Sequence, residues 1–127
     1  MLENELRNRL LLSLPDNVYL FRNNVGAVKA GTRFIRYGLG KGSSDLIGFI
    51  IIDGLAFFAA VELKTENDRL SKEQRSFLEL IKRSGGFSIE CRSVEQFAAD
   101  LAIFEAETRS GLKPAVSRNR QDLDDLC

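Results

Sequence analysis

The fold is decided by residues 45–64, DLIGFIIIDGLAFFAAVELK. Two apolar runs, 45–52 and 55–63, are separated by Asp53-Gly54. Asp-Gly between hydrophobic runs predicts a β-hairpin, because a type I′ turn needs positive φ at both central positions. A two-residue turn also sets the register: position 52 faces 55, and Asp45 faces Glu62. Residues directly opposite one another share a face, with Cβ atoms about 4.5–5.5 Å apart. Glu62 and Lys64 are two apart and share that face as well. Asp45, Glu62 and Lys64 therefore meet at the open end of an apolar hairpin, with Val61 and Leu63 turned to the opposite face. Both faces of the strands are largely apolar, so the hairpin is expected to be covered on both sides. Opposed carboxylates repel, and a divalent cation would remove the penalty; carboxylate oxygens suit Mg²⁺ or Mn²⁺. The same spacing also fits strand-end charges standing in water, and a single bulge would break the pairing.

Working outward, Leu2, Leu6, Leu10 and Leu14 recur every four residues, which predicts an amphipathic helix ending before Pro15. Residues 18–22 read as a strand, 23–32 as a loop or bend around Gly26 and Gly31, and 33–37 as a short strand. A glycine-rich loop, 38–44, leads into the hairpin. Beyond it come a polar loop at 65–70 and a helix at 71–84 with Phe77, Leu78 and Ile81 as its stripe. A strand follows at 87–92, then a helix at 93–107 with Phe97, Leu101 and Phe104. The order α-β-β-β-β-α-β-α predicts an α/β fold: a mixed β-sheet flanked by helices. Residues 1–109 form one domain in this reading, and 110–127 a flexible, partly acidic tail.

Composition narrows the chemistry. A chain of 127 residues with 44% apolar side chains is one domain with a real core. Histidine is absent, which excludes His-based triads, His-ligated zinc and a histidine general base. Cys91 and Cys127 are too few for a zinc site or a disulfide scaffold. No stretch has a signal-peptide layout or the length to span a bilayer, so a soluble cytoplasmic protein is expected. Lys plus Arg and Asp plus Glu are 18 each. The balance is nonetheless uneven: residues 17–44 carry Arg22, Lys29, Arg33, Arg36 and Lys41 and no acid. That excess suits either phosphate binding or a solvated loop. The glycines at 38, 40 and 42 could let backbone amides approach phosphate, although no P-loop is formed.

Gly42-Ser43-Ser44-Asp45, then Val61-Glu62-Leu63-Lys64, then Leu70-Ser71-Lys72-Glu73-Gln74 resemble the PD-(D/E)XK nucleases. The likeness is to the VRR-NUC (virus-type replication-repair nuclease) branch, with its helix glutamate, Gly-x-Pro-Asp, Glu-x-Lys and Leu-Ser-x-x-Gln. It extends over about residues 2–92, and Ser44 stands where that pattern usually has proline. The resemblance implies a restriction-endonuclease-like fold and a Mg²⁺- or Mn²⁺-dependent DNA endonuclease. Stand-alone members resemble phage or prophage enzymes that cut branched DNA such as Holliday junctions. Two cuts in a symmetric junction imply a homodimer. It implies Asp45 and Glu62 as metal ligands, Lys64 near the attacking water or scissile phosphate, and a helix glutamate, Glu3 or less well Glu5, completing the site. Ser71-x-x-Gln74 reads equally as a capping box, whereas the family places a functional glutamine there. Arg22 and Asn23 match an Arg-Asn pair of the pattern, and with Lys29, Arg33, Arg36 and Lys41 they are the expected DNA contacts. The alternative is a non-catalytic nucleic-acid-binding module on the same fold.

Overall fold

Asp53 and Gly54 take φ of 51° and 80°, as a type I′ turn demands. The flanking strands, β4 (Leu46–Ile52) and β5 (Leu55–Leu63), pair antiparallel from Ile52↔Leu55 to Leu46↔Val61, so the register follows from the turn without a bulge. The computed structural model describes residues 2–111. Around the hairpin lie α1 (Glu3–Leu12), β1 (Val18–Arg22), β2 (Gly26–Ala30), β3 (Arg33–Tyr37), α2 (Lys72–Arg83), β6 (Phe87–Cys91) and α3 (Val94–Ser110). The expected tail lies outside the described residues except at its start. There Ser110 ends α3, and Gly111, with φ of 73°, closes it in the left-handed conformation.

One sheet has the order β1-β4-β5-β6, with β1 and β5 antiparallel to β4 and β6 parallel to β5. It is the expected mixed sheet with helices on both faces. The even-numbered residues of β4 and the odd-numbered residues of β5 point to α1 and α3. Leu46, Ile50, Ala59 and Val61 are fully buried there against Leu6, Leu10, Phe97, Leu101 and Phe104. Phe87 meets Phe97 and Phe104 edge-on at centroid distances of 5.8 and 5.3 Å. Burial pushes the Cys91 thiol in this core up to about 11, so it is held as a neutral thiol. Leu2 departs from the predicted stripe: it is 70% exposed and sits at the N-cap of α1.

Two expectations need correction. The hairpin is not covered on both sides along its whole width. Helix α2 packs on β5 and β6, burying Ala60 with Phe77 and Leu78, but stops short of β1 and β4. Tyr19, Phe21 and Ile51 consequently stay exposed on that face. Residues 23–32 are also not simply a loop. They contain the additional strand β2, which pairs with β3 from Gly26↔Tyr37 to Ala30↔Arg33 in a separate two-stranded ribbon. The element order is thus α-β-β-β-β-β-α-β-α. Gly31, with φ of 65°, opens the two-residue turn, the position where such turns favour glycine.

Candidate active site

Val61 and Leu63 are 0% and 1% exposed, and burying side chains of this size contributes roughly 1.5–3 kcal/mol each. That anchoring holds the strand so that Glu62 must project from the opposite face. Glu62 is 2% exposed, a carboxylate taken out of water. Asp45 stands beside it at the entry to β4. The Asp45 N–H donates to Glu62 Oε2 at 3.3 Å, and the Leu63 N–H donates to Asp45 Oδ2 at 2.9 Å. The carboxylates are thus clasped across the open end of the hairpin by the backbone N–H groups of Asp45 and Leu63.

Burial, then the charge of Asp45 and a side-chain hydrogen bond with it, push the Glu62 carboxyl up to about 8; the Lys64 ammonium pulls the other way. Two carboxyls with one nearby cation are short of positive charge. The missing charge and the all-oxygen donor set fit a divalent ion of the Mg²⁺ or Mn²⁺ type. The N–H donors orient the carboxylates without exhausting them, since each oxygen offers two lone pairs. Among the described residues, no three acidic or thiol side chains form a ready-made metal cluster. Asp45 and Glu62 are a pair, and a third ligand is not in place.

Glu3 stands nearby. It lines a polar cavity of about 360 Å³ with Asp45, Arg7, Arg22, Asn23, Asn24, Val25 and Tyr37. Desolvation first, then Asp45, raises its carboxyl above the ordinary value. Glu5 faces elsewhere, accepting from the Leu2 N–H at 3.3 Å.

Gln74 does both things its position suggests. Its Oε1 accepts from the Ser71 N–H at 2.9 Å and its own N–H donates to Ser71 Oγ at 3.1 Å, completing the capping box. Its Nε2 meanwhile donates to Glu62 Oε1 at 2.9 Å. The first turn of α2 is therefore tied to the site through one amide group.

Asn23 is occupied internally. Its Nδ2 donates to Ser43 Oγ at 2.8 Å and to the Ser44 carbonyl at 2.9 Å, and its N–H donates to the Asp45 carbonyl at 2.8 Å. It pins the segment that presents Asp45. Two glycines of that segment, Gly38 and Gly42, allow close backbone approaches within the chain. A Cβ on Gly42 would lie 2.6 Å from the Glu73 backbone carbon, and one on Gly38 would lie 2.3 Å from the Asn24 carbonyl. Arg22 ends β1 on the cavity rim, Lys41 lies in the loop after β3, and Lys29, Arg33 and Arg36 lie on the ribbon.

Two residues were not singled out by sequence reasoning. Arg7 is one turn from Glu3 and lines the same cavity. The i,i+4 spacing was its only available signal. Arg92 braces the loop after Lys64: it donates to the Glu66 carbonyl at 2.8 Å and the Asp68 carbonyl at 2.6 Å, and pairs with Glu90. No sequence pattern announces that contact.

The family model for the VRR-NUC domain matches residues 22–95, more than half of the chain. No curated protein and no solved structure gives a significant match. The chain belongs to the VRR-NUC domain family, which carries a nuclease-type function on DNA. Among the described residues, no helix is long and apolar enough to cross a membrane.

Proposed function

We propose that this VRR-NUC chain is a divalent-metal-dependent endonuclease that hydrolyses phosphodiester bonds in branched DNA, Holliday junctions included, and works as a homodimer in the cytoplasm, in a bacterial host if phage-encoded. The observation that carries the reading is the Asp45–Glu62 pair at the hairpin's end, with Glu62 buried and bonded to Gln74 and Asp45 lining a cavity with two arginines. Asp45 and Glu62 would hold Mg²⁺ or Mn²⁺, with Glu3 approaching from α1. A bound divalent ion supplies Lewis acidity toward the phosphoryl oxygen and lowers the pKa of its water. Lys64 places a positive charge where negative charge develops on the phosphate. Gln74 fixes the orientation of Glu62. Arg7 and Arg22, on the cavity wall, would hold a neighbouring phosphate, and Asn23 keeps Asp45 presented. Lys29, Arg33, Arg36 and Lys41 extend a positive surface with no local acid.

A symmetric junction is cut at two strands and so needs two active sites, which a two-fold homodimer supplies. The test is cleavage of end-labelled four-way junction, flap and linear duplex with Mg²⁺, with Mn²⁺ and with EDTA. Metal-dependent cuts near the branch point are expected. Binding without cleavage under every metal condition would support the non-catalytic module instead.

A further inference from the structure

The β2–β3 ribbon has two unlike faces. Cross-strand partners share a face, so the pairs Lys29↔Phe34 and Ala27↔Arg36 place Lys29, Phe34 and Arg36 together. Val28, Arg33, Ile35 and Tyr37 occupy the other face. Phe34 is 72% exposed, more than any other aromatic ring among the described residues. Neither the Lys29 nor the Arg36 side chain has a hydrogen bond or ion pair to a described residue. An isolated two-stranded hairpin is marginal in water. This one therefore has the form of an arm awaiting a surface.

The arm is rooted at the candidate site. Val25 and Tyr37, at its base, line the same cavity as Glu3 and Asp45. Phe34 is three residues along β3 from Tyr37, roughly 10 Å at about 3.3 Å per residue. That is about three nucleotides at roughly 3.4 Å each.

We propose that the ribbon is a branch-reading arm: Lys29 and Arg36 hold the phosphates of one DNA strand, and the Phe34 ring stacks on a base left unpaired at a branch, about three nucleotides beyond the rim of the cavity at Tyr37. The inference rests on the nuclease reading above. Stacking on a ring is tolerant of sequence, because every base offers a π-face. In an intact duplex each base must first be unstacked, which a branch point has already done. A second copy of this chain is the poorer occupant, since a two-fold contact would bring the same two cations against themselves.

The protein contains no tryptophan, so Phe34→Trp introduces a unique reporter. Its emission is followed in EDTA while junction, flap or intact duplex is added. Quenching of about twofold or more by the branched DNAs, and little by duplex, is expected. Phe34→Ala should lower the binding preference for branched over intact DNA about tenfold, and Phe34→Tyr should restore it. Equal quenching by branched and intact DNA, or a preference unchanged in Phe34→Ala, overturns the proposal. So does a change in oligomeric state of Phe34→Ala by sedimentation, which would assign the ring to a contact between copies. The two readings fail separately. Wild-type protein that binds branched DNA but cleaves none with Mg²⁺ or Mn²⁺ defeats the nuclease reading alone. Absent quenching with cleavage intact defeats the arm alone.

Discussion

The β4–β5 and β2–β3 hairpins are built on the same local plan, two strands joined by a two-residue turn with a positive φ at its first position. In the first, Ile50, Ala59, Ala60 and Val61 are wholly buried. In the second, every residue of β3 is exposed. Charged side chains consequently meet different surroundings in the two places. Glu62 on the buried hairpin has its carboxyl pushed up to about 8, whereas Lys29, Arg33 and Arg36 on the ribbon stand in water. Turn chemistry sets which residues face one another. Packing decides whether facing charges become a tuned pair, as at Asp45 and Glu62, or remain screened surface charges available to a long-range partner.

That contrast breaks most sharply at the pair itself. Asp45→Ala or Glu62→Gln should lower cleavage by about 10³-fold or more, the loss of several kcal/mol of transition-state stabilisation. The metal-free fold should be retained, and above about pH 8, where both carboxyls carry charge, it should be slightly more stable because a like-charge contact is relieved. Single-turnover rates and thermal melts of the same samples check both halves. Lys64→Ala should cost about 10²-fold in the single-turnover rate with little change in DNA affinity. An affinity loss accounting for the whole effect would make Lys64 a phosphate anchor only.

On the ribbon, neutralising Arg33 and Arg36 together should act in the opposite way. Binding to every DNA structure should weaken alike, and the log–log salt slope should flatten by about one to two, while the rate at saturating enzyme survives. Unchanged affinity and slope would remove the ribbon from the DNA path.

The buried hairpin also carries a pH response. A folded Glu62 with a raised pKa still holds its proton between about pH 4.5 and 8, where the unfolded chain has released it. The native state then binds more protons, so this group's contribution to stability falls as pH rises through that window. Urea melts without metal at pH 5.5 and 8.5 should show the decline, and added Mn²⁺ should offset it at the higher pH. The smallest effect concerns Ser44, whose buried hydroxyl has no hydrogen-bond partner among the described residues. Ser44→Ala should be neutral or stabilising by about 1 kcal/mol, read from the melting curve.

The buried hairpin was readable from residues because Asp53-Gly54 specifies both turn and register, and the apolar runs on either side leave no competing period. The partnership of Asp45 with Glu62 followed from arithmetic on that turn. Strand β2 was harder to see, because Gly26, Ala27, Lys29 and Ala30 are weak strand formers; the usable sign was Gly31 at the first position of a two-residue turn. Sheet coverage was not legible at all. That α2 lies over β5 and β6 and leaves Tyr19 and Phe21 exposed depends on strand order, which no local pattern encodes. Arg7 reaches the cavity only because α1 packs beside β5. The doubled role of Gln74 needed the distance to Glu62, since the capping pattern around Ser93 and Gln96 looks the same in sequence and leads elsewhere: Gln96 Nε2 donates to the Glu90 carbonyl.

In the proposed reading the open end of the β4–β5 hairpin holds the divalent cation for DNA cleavage. Anomalous scattering from a Mn²⁺-soaked crystal tests it most directly. The expected result is a peak shared by the Asp45 and Glu62 carboxylates, lost in Glu62→Gln. A protein that cleaves DNA with Mn²⁺ yet shows its peak away from both carboxylates would contradict the account.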